Sequence, residues 1–222
     1  MSIRFSKWTI IPATVLLLGS VALAQNQPSS GSGSSSGQSS TTTTTAPAQK
    51  PTIGQRKENQ QDRIAQGVKS GQLTAGETAN LETKEAAING ETRADRAANG
   101  GKLTSQEKQQ VNQQQNKLSN QIYQDKHNAN TAHYGNNEVD QRRQNQQNRI
   151  AQGIKSGQLT AGETAKLENQ QKGINQQVRA DRSANGGKLT PGEKQQVNKE
   201  QNAASRNIYN KKHNAQTQPH AK

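Results

Sequence analysis

No cysteine occurs in the 222 residues, so the chain can form no disulfide and offers no thiolate as nucleophile or ligand. Aromatic residues are nearly as scarce: one Phe, one Trp and three Tyr. A platform that stacks successive bases is thereby excluded, which argues against nucleic acid as a partner. Apolar residues make up 27% of the chain, near the level at which burial no longer offsets the entropy of ordering. Helices with thin apolar stripes are expected. Catalytic signatures are missing as well. There is no H-E-x-x-H, no G-x-S-x-G turn between a strand and a helix, and no glycine-rich phosphate loop after a strand. The composition predicts a protein that is not an enzyme and carries no cofactor.

What is present begins with a leader. Arg4 and Lys7 precede an apolar run from Trp8 to Leu23, and Ala22-Leu23-Ala24 supplies a small-x-small cleavage pattern. Residues 1–24 are therefore predicted to be a cleaved secretory signal peptide, and the mature chain is expected in the periplasm or outside the cell, with no transmembrane anchor. The full chain carries +13; loss of Arg4 and Lys7 leaves 27 basic against 16 acidic residues, or +11. Basic pairs such as Arg142-Arg143 and Lys211-Lys212 suit an anionic partner. Residues 25–54, rich in Ser, Thr and Gly, are predicted to be a disordered linker.

Beyond the linker the chain repeats itself. The string KSGQLTAGETA occupies Lys69–Ala79 and returns unchanged at Lys155–Ala165, an offset of 86 residues. The same offset relates Arg63-Ile64-Ala65-Gln66-Gly67 to Arg149-Ile150-Ala151-Gln152-Gly153, and Ile122-Tyr123 to Ile208-Tyr209. Within each copy, Gly-x-Leu-Thr-x-x-Glu occurs twice, at Gly71, Gly101, Gly157 and Gly187. Thr-x-x-Glu is a capping box: the threonine hydroxyl accepts from the amide three residues on, and the glutamate reaches back to the threonine amide. The boxes are Thr74/Glu77, Thr104/Glu107, Thr160/Glu163 and Thr190/Glu193, each preceded by a glycine suited to a left-handed helix ending. Each repeated word therefore reads as a stop, a turn and a start.

Apolar residues at helical spacing, such as Ile64/Val68 and Leu118/Ile122, predict an all-α fold of two tandem three-helix units. Unit one spans 55–130, a linker 131–140, unit two 141–217, and a disordered tail 218–222. The helices are expected at about 55–67, 75–98, 105–127, 141–153, 161–184 and 191–213.

Counted as twelve residues ending at Glu107, the stretch from Arg96 has Gly101 sixth, Leu103 eighth and Glu107 twelfth. It resembles an EF-hand loop, and the other three joints align in the same way. The resemblance implies a helix-loop-helix corner. Positions one, three and five hold Arg96, Ala98 and Gly100 here, and Gln66, Val68 and Ser70 in the first joint, so the calcium-ligating carboxylates are missing. The whole pattern also resembles small exported bacterial proteins built on G-x-L-T-x-x-E repeats. His127 and His213 each follow a tyrosine by four residues, and His133 and His220 lie beyond them. Glu107, Glu193, His127 and His213 are thus the candidates for an alternative function, the binding of calcium or a transition metal. The leading expectation is a non-catalytic binding or scaffolding module for a protein or an anionic envelope component.

Thr74→Ala and Thr160→Ala should each cost about 1 kcal/mol of stability. Thermal melts check this, and two silent substitutions would mean that the boxes do not form.

Overall fold

The computed structural model describes residues 50–218. The expected signal peptide, all but the last few residues of the expected linker, and the tail beyond Gln218 lie outside the described residues. Six α-helices and no strand are present among the described residues: α1 (Ile53–Ser70), α2 (Ala75–Ala98), α3 (Ser105–Lys126), α4 (Glu138–Lys155), α5 (Ala161–Ala184) and α6 (Pro191–Lys212). None is long and apolar enough to cross a membrane.

The joints account for most boundaries. Thr74, Thr104, Thr160 and Thr190 are the N-caps of α2, α3, α5 and α6, with both reciprocal hydrogen bonds of the box formed in each. Pro191 occupies the first turn of α6, where its missing N–H costs nothing. Gly71 closes α1 in the left-handed region, at φ 75°.

α1 and α4 are longer than the sequence spacing predicts, at both ends. α1 starts at Ile53 because Thr52 forms a further capping box with Gln55. α4 starts at Glu138 because the Asn137 side chain accepts from the Asp140 amide. Both also run past Gly67 and Gly153, the residues expected to end them. Those glycines serve another purpose: a Cβ on Gly67 would lie 2.7 Å from Leu73, and one on Gly153 would lie 2.6 Å from Leu159. The leucine after each turn folds back onto the bare stretch of helix, and its N–H donates to the glycine carbonyl at 3.0 Å. Leu73 and Leu159 end up fully buried.

The described residues form one compact unit. Within each half, the third helix packs on the first two: α3 on α1 and α2, and α6 on α4 and α5. The most extensive pairings, however, join the halves, α2 with α5 and α1 with α4. α2 and α5 run antiparallel. Gly76 meets Lys172, and the equivalent pair, Gly162 and Ala86, is met in reverse order along the helices. The α1–α4 face is likewise lined by matched residues, Ala65 with Ala151 and Gln66 with Gln152. The duplication is thus also an internal two-fold arrangement, with one hydrophobic cluster drawn from both halves, among them Ile64, Leu81, Ile150 and Leu167. A smaller cluster, around Val139, Val178 and Val197, belongs to the second half alone.

Apolar side chains fill only part of this interior, and glutamine completes it. Gln60 Nε2 donates to the Gln115 carbonyl at 2.7 Å and to Ser119 Oγ at 2.8 Å, while Gln115 Nε2 donates to the Ile53 carbonyl at 2.9 Å. The second half repeats the arrangement with Gln146, Gln201, Ser205 and the Val139 carbonyl. These buried amides lace α1 to α3, and α4 to α6.

Gly67→Ala should destabilise the fold by about 1–3 kcal/mol, since overpacking under Leu73 outweighs the helix-propensity gain. A lowered midpoint in urea at unchanged m-value would register it, and a stabilised variant would refute the account.

Candidate functional site

The four repeated glutamates are engaged in their own corners. Glu77 Oε2 accepts from the Thr74 amide at 2.9 Å, and Oε1 accepts from Asn128 Nδ2 at 2.7 Å. Burial pushes the Glu77 carboxyl up, but the Thr74 amide and hydroxyl with Asn128 and Asn130 more than offset it, leaving it below the ordinary value. Glu163 repeats these bonds with Thr160 and Asn214. Here the segment after each third helix returns across the first joint: the Ala132 amide donates to the Gly71 carbonyl and the Gln218 amide to the Gly157 carbonyl, both at 2.8 Å. Glu107 and Glu193 instead accept from the Thr104 and Thr190 amides and from the side chains of Asn99 and Asn185. The backbone bond from Thr104 is the leading cause that holds the Glu107 carboxyl below its ordinary value, and the one from Thr190 does so for Glu193.

The histidines are not gathered. His127 stacks on Tyr123 with ring centroids 4.2 Å apart, and His213 stacks on Tyr209 at 4.1 Å. The His133 ring contacts Thr131 Oγ1, and His220 lies outside the described residues. No group of three or more His, Asp or Glu side chains suited to a metal ion occurs among the described residues.

Sequence spacing did not single out three acids on the α2–α5 seam. Glu82, Glu85 and Glu168 are fully buried. Gln61 Nε2 donates to Glu82 at 3.1 Å, and Gln147 Nε2 donates to Glu168 at 2.8 Å. Desolvation raises all three: Glu85 to about 7, Glu168 to about 8, and Glu82 also well above the ordinary range. Closed to solvent, they offer no surface to a substrate. They are part of the core.

Among the open features are two clefts, one per half, at matched positions. The first, of about 930 Å³, is lined by Thr52, Ile53, Gly54, Arg56, Arg96, Lys102 and Lys108, together with Lys50, Asn112 and neighbours. Its counterpart, of about 330 Å³, is lined by Glu138, Val139, Arg182, Lys188, Leu189 and Lys194. Three basic residues of the two clefts correspond at an offset of 86, Arg96 to Arg182, Lys102 to Lys188 and Lys108 to Lys194. The acids do not. In the second half, Asp140 is held by Arg143 at 2.7 Å and by Arg182 at 3.0 Å, and Glu138 pairs with Lys194 at 3.1 Å. In the first half Thr52 and Gly54 stand in place of Glu138 and Asp140. Arg96, Lys102 and Lys108 have no ion pair among the described residues. Arg56 is held by Asn112 and Asn116, yet its buried Nε lacks a hydrogen-bond partner.

This cleft was legible in one signal only: two acids present in one copy of the repeat and absent from the other. Comparison with protein-family profiles, with curated proteins and with solved structures finds no match.

The buried acids generate a pH dependence. Their folded-state pKa values lie above the unfolded value, so they contribute stability that is intact below about pH 4.5 and lost as pH rises through 7 and 8. The melting temperature should fall between pH 5 and pH 9, with a slope on the order of 1 kcal/mol per pH unit for each group titrating. Glu168→Gln should flatten that slope; a profile level across the window in the parent chain would contradict the assignment.

Proposed function

We propose that this chain is an exported, non-catalytic binding or scaffolding module for an acidic protein or an anionic component of the cell envelope. The observation that carries the reading is the first-half cleft, in which Arg96, Lys102 and Lys108 converge without a described counter-charge on a chain of strongly positive net charge. Uncompensated cations around a concave surface focus positive potential and draw anions to it.

Export and a periplasmic or extracellular location rest on the leader at residues 1–24. The four joints act as EF-hand-like corners that serve folding, because their terminal glutamates are already bonded to threonine amides and asparagine side chains. A non-catalytic role is favoured by where the most strongly shifted acids lie: Glu82, Glu85 and Glu168 are sealed in the core and line neither cleft.

Co-sedimentation of the mature chain with anionic vesicles or cell-wall polymer, over a series of salt concentrations, tests this. Binding should weaken steadily as salt screens the attraction. Absent or salt-independent binding would overturn the reading.

A further inference from the structure

The two halves of the chain provide an internal comparison of one site in two states. In the second half the Arg182 guanidinium grips Asp140 as a fork, one nitrogen 3.2 Å from Oδ1 and the other 3.0 Å from Oδ2. Asn137 Nδ2 adds a third bond at 2.6 Å. Burial pushes the Asp140 carboxyl up, but the bonds from Arg182 and Asn137 prevail, so it stays ionised. Lys194 holds Glu138 on the same wall. These acids are the second and fourth residues of Asn137-Glu138-Val139-Asp140, one turn at the start of α4. They pair with Arg182 and Lys194 of their own cleft, which is the smaller of the two.

The first half keeps the receptor and lacks the plug. Arg96 and Lys108 replace Arg182 and Lys194, and Gly54 and Thr52 replace the two acids. Its cleft is about 930 Å³ in volume, against about 330 Å³ in the second half. Nor does another acid among the described residues pair with Arg96 or Lys108. Lys57, which replaces Arg143, has its proton affinity lowered chiefly by burial; Glu85 opposes this, and nearby Arg93 and Arg96 add to it.

We propose that the first-half cleft binds an external carboxylate on Arg96, with a second acidic group on Lys108, in the places that Asp140 and Glu138 fill in the second half. The ligand chemistry is a pair of carboxylates presented on one turn, as in an acidic peptide segment. Planar forked recognition by Arg96 selects carboxylate geometry, and Lys108 adds a point charge. This rests on the reading of the chain as a module for an anionic partner and names the residues that read it.

The test is calorimetric titration of the full mature chain with a blocked synthetic peptide of sequence Asn-Asn-Glu-Val-Asp-Gln, copied from residues 136–141. Its Gln-Val-Asn counterpart and free succinate form parallel arms. One peptide should bind per chain, more weakly as salt rises, with the uncharged version silent. Arg96→Gln should weaken binding at least about tenfold, the loss of one charge-assisted pair. Gly54→Asp should do the same by supplying an internal plug, with an acid that suits a helix N-terminus and preserves the fold. Lys194→Gln, in the plugged half, should leave binding unchanged. Succinate binding that depends on Arg96 would assign the site to free dicarboxylates as well; peptide binding alone would assign it to acidic segments. Equal binding by the parent chain, Arg96→Gln and Gly54→Asp, or none by the parent, would overturn the proposal. Envelope binding that survives in Arg96→Gln would remove the cleft from the account while leaving the anionic-partner reading intact.

Discussion

A shortage of apolar side chains governs this structure, and the buried glutamine amide is the answer to it. A chain that is 27% apolar cannot fill six helix interfaces with hydrocarbon. Gln60, Gln115, Gln146 and Gln201 fill part of the volume, and each donates to a main-chain carbonyl on a facing helix. A buried amide without such a partner would cost more than the packing returns. The bonds therefore fix the relative height of α1 and α3, and of α4 and α6, along their axes. Two rods held in register at their middles need only a sharp corner at each end, and the capped joints supply it.

Placement of charge distinguishes two halves that share a backbone plan. Position 57 is lysine in the first half and its equivalent, 143, is arginine; 85 is glutamate and 171 is glutamine; 54 is glycine and 140 is aspartate. The three exchanges are linked. In the first half Lys57 lies near Glu85, inside the seam. In the second half Gln171 needs no counter-charge and bonds to Gln146, so Arg143 turns to Asp140 at the rim. Its guanidinium also lies over the ring of Tyr134, 5.2 Å from the centroid. Asp140 then takes Arg182 as well. The same total plan leaves Arg96 satisfied by nothing described in one copy and its twin fully bound in the other.

Much of this was legible before any coordinates. The duplication, the helical class and the corners followed from exact repetition and from the capping pattern at Thr74, Thr104, Thr160 and Thr190, because those are local rules with short reach. Gly67 was read as a stop, because a glycine near a helix end ordinarily marks one; its role as a recess depends on where Leu73 returns, six residues on. The α2–α5 pairing was hidden for a different reason. Its faces carry Thr78, Glu82, Glu85 and Glu168, which look like solvent-facing residues until they are seen buried. The clefts fell between these cases. Their basic residues recur with the repeat and drew no notice, whereas the informative positions were the two that fail to recur.

The strand of chain that returns across each first joint acts as a latch on that corner. The Ala132 amide closes on the Gly71 carbonyl and the Gln218 amide on the Gly157 carbonyl, and Gln218 Oε1 also accepts from the Ala161 amide at 3.0 Å. A first and second helix pried apart must therefore break a strand that lies outside both of them. Among the described residues no such strand crosses the second corners, at Gly101 and Gly187. Forced opening should begin at those unlatched corners and reach the first ones last.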